Sequence, residues 1–302
     1  MAKKIRIGYF ANVTHAAALV GVQRKTFETY FKADKTKVEF TVFNAGPAVV
    51  EAMKGGAIDV SYIGPSPAIS GYASTGGSLL RIIAGATLNG AQLIVKPTIN
   101  SVADLKGKKI SVSTGSTTAN IFIQTVAPAA GLKPGDYQLI NMRPPDQVAA
   151  LAAGSVDAIT SFEPYLTVAE KEGIGTMLMR FGQIDPNPTC LVLSPTLIEK
   201  SPETVQAFMK SWLEGVDFWK NNPSRVAEVL HEQYNAAGYS NVTHEMAESI
   251  VKQIKVEPEL TPAIADHIKA EAERMKAANL IKQLPDWPKV MRPDLLQKAR
   301  SA

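Results

Sequence analysis

Five hydroxyl side chains crowd one turn of the sequence, Ser113, Thr114, Ser116, Thr117 and Thr118 of VSTGSTTAN, where an apolar strand gives way to a helix. The exposed amides of a helix start carry partial positive charge, and neighbouring hydroxyls add donors, so such a turn suits an oxyanion such as phosphate, sulfonate or carboxylate. One serine or threonine is enough to cap a helix, and the surplus points to a ligand. The turn lacks the GK[ST] ending of a nucleotide-binding P-loop. GPSPAIS offers a second helix start shaped by Pro65 and Pro67, at which Ser66 brings a hydroxyl and an amide. His15, in NVTHAAA, stands at a third such junction, with equal claims as a ligand contact and as a structural histidine. Arg143, in NMRPPDQ, has the side chain best shaped for a two-pronged grip on an oxyanion. Glu163, in SFEPYL, would contact a ligand amine or hydroxyl, or balance Arg143.

These residues need a scaffold that gathers distant turns. Short apolar runs alternate with helical stretches, KIRIGYF, VEFTVF and IDVSYIG among them, which is the rhythm of an α/β protein with mostly parallel sheets flanked by helices. The chain also echoes itself. Aligning VFNAGPAVVEAMKGGAIDVSYIGPSPA with INMRPPDQVAALAAGSVDAITSFEPYL pairs Pro47 with Pro145, Gly56 with Gly154 and Asp59 with Asp157. The echo predicts two equivalent lobes. Lobe 1 is expected to span 1–94 and 191–302, with lobe 2 (95–190) inserted, so that two crossings form a hinge. The last third reads as helices starting near Ser201, Pro223 and Thr243, packed on lobe 1. Ligands of such sheets bind beyond the carboxyl ends of the strands, which adds the loops FANVTHAAA and FNAGPA, the latter carrying Asn44.

Composition narrows the class. With 302 residues there is ample core for two lobes. Lys plus Arg number 32 against 28 for Asp plus Glu, and the small excess is dispersed, unlike the clustered basic face of a nucleic-acid binder. A single cysteine, Cys190, excludes an internal disulfide and a cysteine metal cluster, and the four histidines share no metal-ligand spacing. No metal or cofactor is expected. No apolar run is long enough to span a bilayer, and MAKKIRIGYF shows no export signal. GxSxG, HExxH and GxGxxG are all missing, which lowers the case for an enzyme.

The segments IRIGYFANVTHAAALVG, VFNAGPAVVEAMKGGAIDVSYIGPSPAISGYASTGG, SVADLKGKKISVSTGSTTAN and AALAAGSVDAITSFEPYL are similar to those of periplasmic substrate-binding proteins of the nitrate, sulfonate and taurine group of ABC importers. The resemblance implies the two-lobed type II periplasmic-binding-protein fold. It further implies a small anionic or zwitterionic ligand in the cleft, delivery to an ABC permease, no catalysis, a monomer, and a place in the periplasm or tethered to the outer face of the cell membrane. Carried over by position, its pocket residues are Asn12, Thr14, His15, Gly64, Ser66, Ser116, Thr117, Thr118 and Glu163. Phe162 and Tyr165 flank Glu163 where relatives often carry a tryptophan. Two alternatives stay open: a binder of a neutral or cationic heterocycle such as a thiamine pyrimidine precursor, anchored by Glu163 and His15, and a biosynthetic enzyme on the same fold. Those enzymes share a cysteine-rich stretch that this chain lacks.

Overall fold

A computed structural model describes residues 4–32, 35–186, 188–239 and 241–301. Its strands are β1 (Lys4–Phe10), β2 (Lys37–Phe43), β3 (Val60–Ile63), β4 (Arg81–Leu88), β5 (Ala91–Val95), β6 (Lys109–Val112), β7 (Gln138–Asn141), β8 (Ala158–Phe162), β9 (Thr176–Arg180), β10 (Thr189–Leu193) and β11 (Lys255–Val256). They form a six-stranded sheet in the order β11-β4-β10-β3-β1-β2 and a five-stranded sheet in the order β7-β6-β8-β5-β9.

The two sheets share one plan. In the first, β1 pairs in parallel with β2 and β3, and β10 runs antiparallel between β3 and β4. In the second, β6 pairs in parallel with β7 and β8, and β5 runs antiparallel between β8 and β9. Each sheet is thus mixed, where the sequence led us to expect mostly parallel sheets: β10, paired with β3 and β4, and β5, paired with β8 and β9, are antiparallel to both neighbours, and they are the strands the chain reaches directly after changing sheets. The changes fall between Leu88 and Ala91 and between Arg180 and Thr189. Ala91–Val95, most of which the sequence assigned to the end of lobe 1, pairs in the five-stranded sheet, because its ladder partners are β8 and β9.

The internal echo survives at the level of hydrogen bonds. Asp59 accepts the Arg6 backbone N–H at 3.0 Å, and Asp157 accepts that of Lys109 at 2.9 Å. Each aspartate also faces a cation, Arg6 at 2.6 Å and Lys96 at 2.7 Å. The helices Gly46–Lys54 and Pro144–Ala152 end alike: the Ala57 N–H reaches the Ala52 carbonyl at 2.8 Å, and the Ser155 N–H reaches that of Ala150 at 2.9 Å. Both turns pass through a left-handed residue, Gly56 at φ 66° and Gly154 at φ 71°, a conformation in which glycine meets no Cβ clash.

Both faces of the six-stranded sheet are covered by apolar side chains. Ile5, Ile7, Phe27, Phe208 and Trp212 pack in one layer, and Ile63, Leu80, Val192 and Ile268 in the other. Central strands buried on two sides read as near-continuous apolar runs, and β10 is apolar from Cys190 to Leu193, with only Thr189 polar at its start. The helices Pro202–Asn221, Pro223–Ala236 and His244–Gln253 begin where the sequence indicated, the last capped by the Thr243 hydroxyl. The proline-rich final segment forms the helices Trp287–Val290 and Asp294–Ser301 and buries Val290 and Leu296.

Candidate functional site

The strand ends converge on a cavity of about 60 Å³ between the two sheets. It is lined by Phe10, Asn12, Thr14 and His15 after β1, Ala45 and Gly46 after β2, Gly64 and Pro67 after β3, Ser113, Ser116, Thr117 and Thr118 after β6, Phe162 of β8, and Pro188 and Thr189 at the second crossing. On the scale of one water per roughly 10–15 Å³, it holds a handful of water-sized atoms. No lining side chain is ionised: Asp, Glu, Lys and Arg are absent from it, and His15 is neutral because burial lowers its pKa to about 3.

What the cavity does contain is hydrogen-bond donors. The Thr14 hydroxyl donates to Asn12 Oδ1 at 2.7 Å, which fixes the amide so that Asn12 Nδ2 is the end left over. That nitrogen is buried and has no partner, a costly state unless something else accepts its hydrogens. The Phe10 N–H donates to His15 Nδ1 at 3.2 Å, so the single proton of the neutral ring sits on Nε2 and makes it a donor. The ring is held flat by Phe10, centroid to centroid 4.3 Å. On the opposite side, Ser116 caps its helix by accepting the Ala119 N–H at 3.2 Å and shares a 2.9 Å bond with Thr118. Thr117 and Thr118 occupy the first two helical positions, whose amides have no carbonyl one turn back within the helix. The helix runs on through a π turn, Phe122–Val126, to Ala129.

The two lobes touch across this cavity. The Ser66 N–H donates to Thr117 Oγ1 at 3.2 Å, and farther out the hydroxyls of Tyr165 and Tyr239 meet at 2.6 Å. Asn241 donates to Glu172 at 2.8 Å. The conformation is a closed one.

Four of the residues singled out from sequence lie outside the lining. Asn44 is exposed, although its neighbours Ala45 and Gly46 face the cavity. Ser66 turns its hydroxyl away to Glu271, and its helix start has no amide to give: Pro65 and Pro67 carry no N–H, the Ser66 N–H is taken by Thr117, and the Ala68 N–H by Gly64. Arg143 is exposed and grips Asp146, three residues on, at 2.8 Å. Glu163 is buried with both oxygens occupied, by Gln92 Nε2 at 3.2 Å and the Thr167 N–H at 3.0 Å, and burial raises its pKa to about 7. Sequence reasoning missed Phe10 as a wall, and it missed Pro188 and Thr189. The last two lie at the second crossing, and only the expected return of the chain near Leu191 hinted that this stretch passes the cleft.

Two lobes with mixed sheets flanked by helices, joined by two crossings, with a donor-lined cavity in the cleft, define the two-lobed periplasmic-binding-protein fold. The alkanesulfonate-binding protein of Xanthomonas axonopodis pv. citri superposes with a TM-score of 0.80 over 99% of both chains at 24% identity. The chain belongs to the NMT1-like family, which matches residues 2–231. In sequence it is 28% identical over 210 residues to the taurine-binding periplasmic protein of Escherichia coli (strain K12), covering 67% of this chain and 65% of that protein, just under two thirds of its length. The same fold also hosts chemistry: a desulfurization enzyme superposes with a TM-score of 0.73 at 14% identity, over 99% of both chains. Among the described residues no helix is long and apolar enough to cross a membrane.

Proposed function

We propose that this protein is the solute-binding component of an ABC uptake system, closing its lobes around a small oxyanion and delivering it to a membrane permease. The ligand set is Asn12, Thr14, His15, Ser116, Thr117 and Thr118, with Gly64 allowing the lobes to approach. The lobes correspond to the two sheets, with hinge segments at 89–90 and 181–186. The protein acts as a monomer, in the periplasm or tethered to the outer face of the cell membrane.

The observation that carries this reading is the buried, unpartnered Asn12 Nδ2 in a cavity whose lining has donors and no carboxylate. Hydrogen bonds to an ionised acceptor contribute about 1.5–3 kcal/mol each, so a few neutral donors hold an anion without a counter-charge. Release on reopening then does not require breaking an ion pair. The cationic-heterocycle reading has the flat wall of Phe10 and Phe162, stacked at 6.3 Å, in its favour. Against it, Glu163 does not line the cavity, and its carboxyl is turned to Gln92 and Thr167. The cysteine gives catalysis no support: Cys190 is fully buried in β10, and burial pushes its thiol pKa up, away from thiolate.

The test is a thermal-shift screen of ligand-stripped protein against nitrate, sulfonates, phosphonates, carboxylates and aminopyrimidines. A saturable rise in melting temperature with one oxyanion class is expected. A response to aminopyrimidines alone would overturn the assignment.

A further inference from the structure

The two crossings between the sheets meet around a second cavity. It measures about 280 Å³, close to the lower bound of about 300 Å³ for small-molecule sites. It shares no lining residue with the cage of neutral donors between the strand ends. Asn89 and Gly90 of the first crossing and Gly182 and Gln183 of the second line it. The crossings are laced together here. The Asn89 N–H reaches the Pro186 carbonyl at 2.8 Å, and the Asn89 side chain lies over Gly182, where an added Cβ would collide with its amide.

The rest of the polar wall comes from both lobes. Arg180 ends β9 and pairs with Gln92 of β5, so the two side chains leave the five-stranded sheet on one face. Gln253 ends the helix His244–Gln253, which packs into the core of the other lobe through Ala247 and Ile250. Arg180 Nη1 donates to Gln253 Oε1, and Gln92 Nε2 donates to Glu163 Oε1 at 3.2 Å and to Gln253 Oε1 at 3.4 Å.

Two groups of this wall have capacity to spare. A guanidinium is a fork of several N–H donors, and the hydrogen-bond partner of Arg180 among the described residues is a neutral amide oxygen. The cavity lining holds no carboxylate to neutralise it. Gln92, 4% exposed, gives its amide hydrogens to Glu163 and Gln253, which leaves its oxygen to accept. A planar cation beside a lone acceptor matches a molecule that carries a carboxylate and a neighbouring hydroxyl.

We propose that this hinge cavity is a second ligand site, for a small α-hydroxycarboxylate. The carboxylate takes the remaining N–H groups of Arg180 in a two-pronged grip, and the hydroxyl donates to the Gln92 oxygen. The site meets its ligand with a full positive charge, where the cage uses neutral donors, so it does not rest on the oxyanion reading of the cage.

The experiment is calorimetric titration of lactate, propionate and inorganic phosphate into wild-type protein, Arg180→Gln, Gln183→Trp and Asn12→Asp, with a melting curve of each. Gln183 is exposed, so its replacement obstructs the cavity without disturbing the core, and Asn12→Asp impairs the cage alone. Lactate is expected to bind wild type and Asn12→Asp alike, about fivefold tighter than propionate for the one added hydrogen bond. Its affinity is expected to fall at least about tenfold in Arg180→Gln and in Gln183→Trp. Lactate binding that disappears in Asn12→Asp and persists in both hinge variants would place the molecule in the cage and overturn the proposal. A wild type that binds no lactate, that binds propionate equally well, or that prefers phosphate would also overturn it. Failure of nitrate, sulfonates and phosphonates in the thermal screen, with lactate binding lost only in the hinge variants, would remove the cage reading and leave the hinge site standing.

Discussion

Replacing Gly64 with alanine separates closure from folding. Gly64 has φ −70° and ψ 166°, a backbone that any residue adopts, so glycine is not needed there for the chain itself. An added methyl would overlap the Thr117 hydroxyl of the opposite lobe and lie 2.9 Å from Thr117 Cβ. Rotating Thr117 does not relieve the second clash, because its Cβ is fixed by the backbone. Overpacking of this kind costs about 1–3 kcal/mol, and forfeiting the Ser66 N–H to Thr117 hydrogen bond adds about 1 kcal/mol. The closed state loses about 2–4 kcal/mol and the open state loses nothing. Ligand affinity therefore falls by about 30- to 700-fold, while the melting temperature of the ligand-free protein moves by less than about 2 °C. Titration calorimetry with the oxyanion found in the screen, beside ligand-free melting curves, measures both. Wild-type affinity in Gly64→Ala would refute the reasoning, and so would a large fall in ligand-free stability, which would make Gly64 a folding residue.

The buried carboxyl of Glu271 gives a pH signature. Burial raises its pKa from the ordinary 4.5 to about 7, with Asp185 adding to the rise and Ser66, His267 and Arg274 opposing it. A carboxyl raised in the folded state costs nothing below pH 4.5 and destabilises as pH climbs through 7, by about 3 kcal/mol at most. Glu271→Gln should therefore match wild type at pH 4 and exceed it in melting temperature at pH 8; parallel curves for the two proteins would contradict this. Arg143→Ala is expected to change ligand affinity by less than about twofold, because the guanidinium is exposed and held by Asp146. A tenfold loss on titration would put Arg143 in the site after all.

The fold was legible because its signals are local and repeated. Apolar runs marked the central strands, and the pairing of Asp59 with Asp157 announced equivalent units that the structure ties down with the same backbone hydrogen bonds. The strand-end turns containing Asn12 and Ser116 were legible for the same reason. What sequence could not supply is the direction of side chains and the closeness of the lobes. Ser66 and Ser116 look alike as hydroxyls at helix starts. One is drawn off by Glu271, a residue of a helix far along the chain, and the other caps its own helix in the cage. Arg143 is diverted by a neighbour three residues on, which a charge-spacing check would have flagged. Thr189 reaches the cage only because the second crossing passes it, and no local pattern records that.

Titrating methanesulfonate and an aminopyrimidine into wild type and Asn12→Asp at neutral pH tests the neutral donor cage most directly. The substitution keeps size and the acceptor for Thr14, removes the buried N–H donors and adds negative charge. The account predicts that wild type binds the sulfonate and that Asn12→Asp weakens it at least about 100-fold, from one lost charge-assisted hydrogen bond and the added repulsion. Undiminished sulfonate binding in Asn12→Asp would contradict it, as would a wild type that binds only the aminopyrimidine and a variant that binds it more tightly.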